Sequence, residues 1–136
     1  MKKNLLDKTA CDQLIDRVKD LTPSHTPRWG EMNPTEMLLH CNICNRQILN
    51  EGRGDEKTTF KQYLLRIVAL YIAPNFKRGI KSEARNITKG MIDNVHFEEQ
   101  KKDFPNRNKP MTLTHPAFGN ITAYKHMDHH LRQFGV

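Results

Sequence analysis

The strongest constraint on the fold is a helix start that several neighbouring residues specify together. Asn33 can cap a helix, Pro34 follows at the first helical position, and Glu36 stands where its carboxylate can reach back to the cap amide. Methionines flank this box at the two positions of a hydrophobic staple. The signals agree on a helix from Pro34 to about Asn50, where two glycines follow.

Further helices are predicted where apolar residues recur at steps of three and four. They are Asp7 to Leu21, Phe60 to Ile72, and a last helix from about Asn120 or Thr122 to Phe134. Ile92 to Phe104 is predicted as a further helix that is short and polar. No segment alternates with period two, so the predicted fold is all-α, an antiparallel bundle in a single domain over residues 1–136. The basic stretch Lys77–Lys89 is predicted to be an exposed connection, and Pro105–Pro116 a loop.

Composition excludes several classes of protein. The longest apolar run, Ile67–Ala73, is far shorter than the roughly 20 residues of a membrane-spanning helix. The first residues form no signal-peptide core. Three cysteines are too few, and odd in number, for a disulfide framework. We therefore expect a protein of the reducing cytoplasm that does not enter a membrane.

The net charge of +7 raises nucleic-acid binding as an alternative function. The basic residues between Lys77 and Lys109 are, however, mixed with acidic ones, and they include no recognition helix or interleaved aromatic residues. A solvated surface is the favoured interpretation, and an anionic substrate is a second one. Arg28, Arg46 and Arg132 are nearest in sequence to the candidate site described next.

Two histidines in the last helix have the spacing of a helical metal site. His126 and His130 are four residues apart, which places both imidazoles on one side of the helix. His40, at the edge of the apolar face of the second helix, is the candidate third ligand. Three imidazoles leave a coordination position open, as in catalytic sites, and suit Zn, Ni, Fe or Cu. Spacing alone also fits three packed histidines, or a structural metal in a non-catalytic bundle.

The remaining histidines and the cysteine pair receive structural interpretations. His129 points away from the pair and is assigned to solvent or to a dimer contact. Cys41 and Cys44 lie on the apolar face of the second helix and are predicted to pack in the core, with Cys44 close to the metal. Three other histidines are assigned to the surface or to turns: His25, His96 and His115.

Two blocks of sequence resemble a known family. Residues 28–40, RWGEMNPTEMLLH, are similar to the segment that enters the second helix of DinB-like (YfiT-like) metalloenzymes. Residues 115–119, HPAFG, and 124–136, YKHMDHHLRQFGV, resemble the C-terminal signature of a branch of that family with no assigned reaction.

The resemblance implies a four-helix bundle, here with an additional helix and a basic connection between helices two and three. It also implies an open site for a divalent transition metal (Zn, Ni or Fe) and a homodimer. The family ligands correspond to His40, His126 and His130. Relatives include thiol-dependent transferases, so the implied activity is that of a metal-dependent hydrolase or a transferase that uses a low-molecular-weight thiol.

The chain departs from the family pattern at two points. The helix predicted from Ile92 is shorter than the usual third core helix, and the usual insert before the histidine helix is lacking. We therefore expect either a trimmed variant or an interruption of the backbone near Phe104–Asn108 and Thr122–Tyr124.

Overall fold

A computed structural model describes residues 7–50, 75, 78, 86–107 and 117–136. Over these residues the secondary structure is entirely helical, which confirms the all-α prediction for this part of the chain. The elements are α1 (Lys8–Asp20), α2 (Pro34–Asn50), a 3₁₀ turn (Asn94–His96), α3 (Phe97–Arg107) and α4 (Ala117–Phe134). None of these helices is long and apolar enough to cross a membrane. The predicted helix Phe60–Ile72 lies outside the described residues.

The start of α2 forms the predicted capping box. The Asn33 N–H donates to Glu36 Oε2 at 2.8 Å, and the Glu36 N–H donates to Asn33 Oδ1 at 2.9 Å. The second oxygen, Glu36 Oε1, accepts from the Gly90 N–H at 2.9 Å, and the Thr88 hydroxyl donates to the Glu36 carbonyl at 2.7 Å. These bonds hold segment 86–90 against the first turn of α2.

The other capping predictions are also confirmed. Asp7 Oδ1 accepts from the backbone N–H groups of Thr9 and Ala10 at the start of α1. At the end of α4, Gly135 has φ of +79°. The Gly135 N–H donates to the Arg132 carbonyl, and the Val136 N–H donates to the Leu131 carbonyl. This is a Schellman motif, which requires a residue that tolerates positive φ.

The boundaries of α3 differ from the prediction at both ends. The predicted start at Ile92 is wrong, because the 3₁₀ turn precedes Phe97. The helix also continues through Pro105 to Arg107, so the loop predicted from Pro105 starts too early. Pro105 has no N–H to donate within the helix. The preceding Phe104 is nevertheless buried, and it holds the last turn of α3 against the core.

Helix α4 is longer than predicted at its N-terminal end. It starts at Ala117 and is continuous across Thr122–Tyr124. The backbone interruption considered at Thr122–Tyr124 is therefore wrong, and the four-residue spacing within this helix applies without a break.

Helix α2 packs against α4 as well as against α3. Helix α2 contacts α3 and α4, and α1 contacts the same two helices. The buried residues of α1, α2 and α4 recur at steps of three and four, as predicted. The shared core contains Leu14 and Val18 of α1, Met37 and Cys41 of α2, Phe97 and Phe104 of α3, and Met127 and Leu131 of α4. Because α2 and α4 share this core, polar residues at the edge of one apolar face lie close to those of the other.

Candidate metal centre

Three histidines of α2 and α4 converge on one point. His40 Nε2 lies 3.1 Å from His126 Nε2, and His130 Nε2 lies 3.1 Å from the same atom. The three rings offer nitrogens that are all within 4.8 Å of one another. His40 and His130 are buried, whereas His126 is partly exposed. The structure thus brings together the three residues that the sequence proposed as metal ligands.

The neighbours of His40 fix which of its nitrogens faces this point. His40 Nδ1 lies 2.8 Å from the backbone carbonyl oxygen of Asn86. A carbonyl oxygen only accepts, so the Nδ1 atom carries the hydrogen and donates it. In the neutral ring, Nε2 then presents a lone pair to the centre of the cluster. The segment held by the capping box of α2 thereby orients this side chain.

The neighbours of His130 have the same effect. His130 Nδ1 lies 2.8 Å from Gln133 Oε1, and Gln133 Nε2 donates to the Trp29 carbonyl at 2.6 Å. Because the Trp29 oxygen accepts from the amide NH₂ group, the amide oxygen faces His130 and accepts from its Nδ1–H. His130 Nε2 therefore also presents a lone pair to the cluster.

A count of hydrogens shows that the neutral cluster lacks one. Of the three Nε2 atoms, only that of His126 is left to carry a hydrogen, and it faces both other histidines at 3.1 Å. A single hydrogen on His126 Nε2 can form a hydrogen bond with His40 or with His130, but not with both. In the other contact, two ring nitrogens face each other with no hydrogen between them. A cation at the centre would accept the lone pairs of His40 and His130, and that of His126 in the tautomer whose hydrogen is on Nδ1.

Two of the three nitrogen–nitrogen separations, from His126 to His40 and from His126 to His130, fit a metal ion. The third, which is bounded at 4.8 Å, must not exceed about 4.2 Å when both rings bind the same ion. With metal–nitrogen bonds of about 2.0–2.1 Å, a 3.1 Å separation of two ligand nitrogens corresponds to an angle of about 95–102° at the metal. This lies between the octahedral and the tetrahedral angle. Imidazole donors suit Zn, Cu, Fe and Ni, and three protein ligands leave a position for water or substrate. The donor set therefore fits an open mononuclear site.

Burial keeps the three histidines in the neutral form that binds metals. Desolvation lowers the pKa of His40, against the opposing effect of its bond to the Asn86 carbonyl. Desolvation, followed by the neighbouring histidines, lowers the pKa of His126 well below 6.5. Desolvation also lowers the pKa of His130 to about 3. At neutral pH no proton competes with a metal for these nitrogens.

The two cysteines of α2 are buried free thiols, as predicted for core packing. Cys41 Sγ lies 3.6 Å from Met37 Sδ, and burial raises the pKa of the Cys41 thiol well above 9.0. Cys44 Sγ lies 3.6 Å from His40 Nδ1 and 3.7 Å from His40 Nε2. The sulfur of Cys44 is thus almost equidistant from both ring nitrogens and lies beside the ligand candidate.

His129, which was assigned to solvent or to a dimer contact, is partly exposed and lies beside two other rings. Its ring centroid lies 5.2 Å from that of His130 and 5.6 Å from that of Trp29. The Arg78 guanidinium in turn lies over the Trp29 ring at 4.0 Å. His129 therefore packs beside Trp29 of the segment that enters α2. Helical spacing alone carries no information about this contact.

Of the other histidines, two have local partners. His25 Nδ1 accepts from the Thr22 N–H at 3.0 Å, and His96 Nδ1 lies 3.1 Å from Glu99 Oε2. Both agree with the predicted surface or turn roles. His115 lies outside the described residues.

One of the three arginines named as candidates for an anionic substrate is engaged in ion pairing. Arg132 forms an ion pair with Asp128 at 2.8 Å, and Asp128 also binds Arg17 at 2.7 Å. Arg28 is exposed, and its guanidinium lies close to Gly135 at the end of α4.

Two residues that orient the ligands were not predicted from sequence, namely Asn86 and Gln133. Asn86 contributes a backbone carbonyl, which leaves no signal in the side-chain pattern. Gln133 was detectable in principle, since it follows His130 by three residues and shares its side of α4.

Comparisons of the chain with protein families, with curated proteins and with solved structures give no match.

Proposed function

We propose that the protein is a metal-dependent enzyme of the DinB-like kind, in which His40, His126 and His130 bind one divalent transition metal. The hydrogen count in the cluster carries this proposal, because three inward-facing nitrogens share at most one hydrogen. Zn, Ni and Fe suit the donor set. The four-helix bundle and a homodimer belong to the same proposal and rest on the resemblance of residues 28–40, 115–119 and 124–136 to that family. A cytoplasmic location is also proposed, and it rests on the three cysteines and the short apolar runs of the sequence.

The proposed reaction is hydrolysis or thiol-dependent transfer. A divalent cation in this site supplies Lewis acidity, which lowers the pKa of a water or of a low-molecular-weight thiol at its open position. The chain holds the donor atoms in place: the Asn86 carbonyl orients His40, and Gln133 orients His130. Such second partners make ligands more basic and fix their geometry.

Two features favour a catalytic over a structural metal. Structural zinc sites are closed by four protein ligands, whereas the described residues bring only three histidines together. In addition, His126 keeps some exposed surface, whereas His40 and His130 are buried.

Metal analysis of protein purified without a histidine tag tests the proposal. We expect about one metal ion per chain in the wild type and a near-complete loss in His40→Ala, His126→Ala and His130→Ala. His96→Ala is the matched control, because His96 is exposed and pairs with Glu99 away from the cluster, and it should keep the metal. A His126→Ala protein with full metal content would overturn the site assignment.

The reaction class follows from assays on the loaded wild type. Ester and amide substrates, and electrophiles offered with a small thiol, should separate hydrolysis from thiol transfer. Activity that disappears with a chelator and returns with the metal supports the enzyme proposal. Metal binding without activity towards any of these classes would support a structural metal instead.

A further inference from the structure

Gln133 connects the segment before α2 to one of the candidate ligands. Its backbone carbonyl accepts from the Arg28 N–H at 2.7 Å. Its side-chain Nε2 donates to the Trp29 carbonyl at 2.6 Å, and its Oε1 lies 2.8 Å from His130 Nδ1. The residue is only 3% exposed. The backbone carbonyl and both ends of the side-chain amide are therefore committed to the segment 28–30 or to His130.

The local backbone is shaped to allow this contact. Gly30 has φ of +79°, and a Cβ atom built on it would lie 2.5 Å from Gln133 Nε2. No real Cβ tolerates so close an approach, so a side chain at this position would displace the amide. Gly30 thus supplies both the positive φ and the space that let Gln133 reach the Trp29 carbonyl.

We propose that Gln133 is a positioning residue that fixes His130 in the Nδ1–H tautomer. The Trp29 carbonyl holds the amide in a single orientation, and the amide oxygen in turn holds the hydrogen of His130 on Nδ1. The tautomer is a property of the metal-free chain. Its consequence for metal affinity rests on the proposed function.

The choice of glutamine over a carboxylate has a physical reason. Metal-binding histidines often donate to carboxylates, which accept more strongly than an amide. Here the other end of the side chain must donate, because its partner is the Trp29 carbonyl. An ionised glutamate would turn an acceptor towards that carbonyl and lose the bond. Gln133→Glu is therefore expected to weaken the site, although glutamate is the stronger partner for histidine.

Nitrogen NMR of the metal-free protein tests this directly, because ¹⁵N shifts distinguish the two neutral tautomers. We expect the Nδ1–H form at His130 in the wild type and a mixture of tautomers in Gln133→Met. Gln100→Met is the matched control, since the Gln100 amide binds Asn42, and it should leave the His130 signals unchanged. The Nε2–H form in the wild type would overturn the proposal without any variant.

Cobalt(II) titration supplies the second readout. Affinity should fall about 10–100-fold in Gln133→Met and in Gln133→Glu, the usual effect of losing such a partner, and stay constant in Gln100→Met. If Gln133→Glu binds cobalt(II) as tightly as the wild type, the role of the Trp29 carbonyl is refuted. A wild type that binds no cobalt(II) would refute the proposed function, whereas the tautomer measurement would still decide the role of Gln133.

Discussion

The Nε2 atoms of His40 and His126 lie 3.1 Å apart, although 86 residues separate them in sequence. The packing of α2 against α4 produces this contact, and burial keeps both rings neutral. Two neutral imidazoles that face each other through Nε2 need a hydrogen or a cation between them. The stability and the metal affinity of the protein should therefore depend on the same few atoms.

The stability of the metal-free protein should fall in mild acid. His130 has a pKa of about 3 in the folded state but about 6.5 when unfolded. Between these values the unfolded chain binds a proton that the folded chain does not, so lowering the pH favours unfolding. We expect a loss of about 1.4 kcal/mol per pH unit for this histidine below pH ~6.5, with further loss from His126 and His40.

Urea unfolding of the metal-free protein between pH 7 and pH 4 measures this effect. A His130→Asn variant removes one titrating group, and its free energy of unfolding should depend less steeply on pH. A wild type whose stability is constant over this range would show that the cluster accepts protons freely when folded.

The capping box should contribute measurably to stability. Asn33→Ala removes the oxygen that accepts from the Glu36 N–H, and such cap losses cost about 1 kcal/mol. Chemical denaturation provides the measurement. Asn94 Oδ1 accepts from the Thr35 hydroxyl near the same helix start but caps no backbone group there, so Asn94→Ala is a suitable comparison with a smaller expected loss. Equal losses would argue against a specific capping effect.

Alanine substitutions at two glycines with similar φ distinguish the cost of backbone strain from the cost of a steric clash of the new Cβ atom. Gly90 has φ of +73° with nothing within 4 Å of where a Cβ atom would lie, whereas a Cβ at Gly30 meets Gln133. Gly90→Ala should cost about 1–2 kcal/mol from positive φ alone. Gly30→Ala should cost more, because it also displaces the Gln133 amide, and it should weaken cobalt(II) binding. The comparison with Gly90 concerns stability alone, because Gly90 belongs to the segment that orients His40. Equal losses of stability would mean that the Gln133 contact has no influence.

Local features of the fold were predictable from sequence, because their causes are local. The side chains of Asn33 and Glu36 accept hydrogen bonds from each other's backbone N–H groups within one turn. At the end of α4, the Gly135 N–H donates to the carbonyl of Arg132, three residues earlier. The four-residue spacing of His126 and His130 likewise follows from helix geometry. The inclusion of His40 rested on its helix face and on the family resemblance, since no local signal connects residues so far apart.

The surroundings of the ligands were not predictable, because they depend on tertiary contacts. Asn86 acts through its backbone carbonyl, which any residue possesses. Gln133 depends on Trp29, 104 residues away in sequence. The contact of His129 with Trp29 is likewise tertiary, and the helix angle of His129 says nothing about it.

The first coordination shell of the zinc-loaded protein tests the central claim most directly. X-ray absorption at the zinc edge should show three imidazole nitrogens at about 2.0–2.1 Å. The fourth ligand atom should be an oxygen or a nitrogen and not a sulfur. The sensitivity of the spectrum to sulfur also decides whether Cys44, beside His40, is a ligand. Fewer than three imidazoles, or a sulfur at about 2.3 Å, would contradict an open site made by His40, His126 and His130.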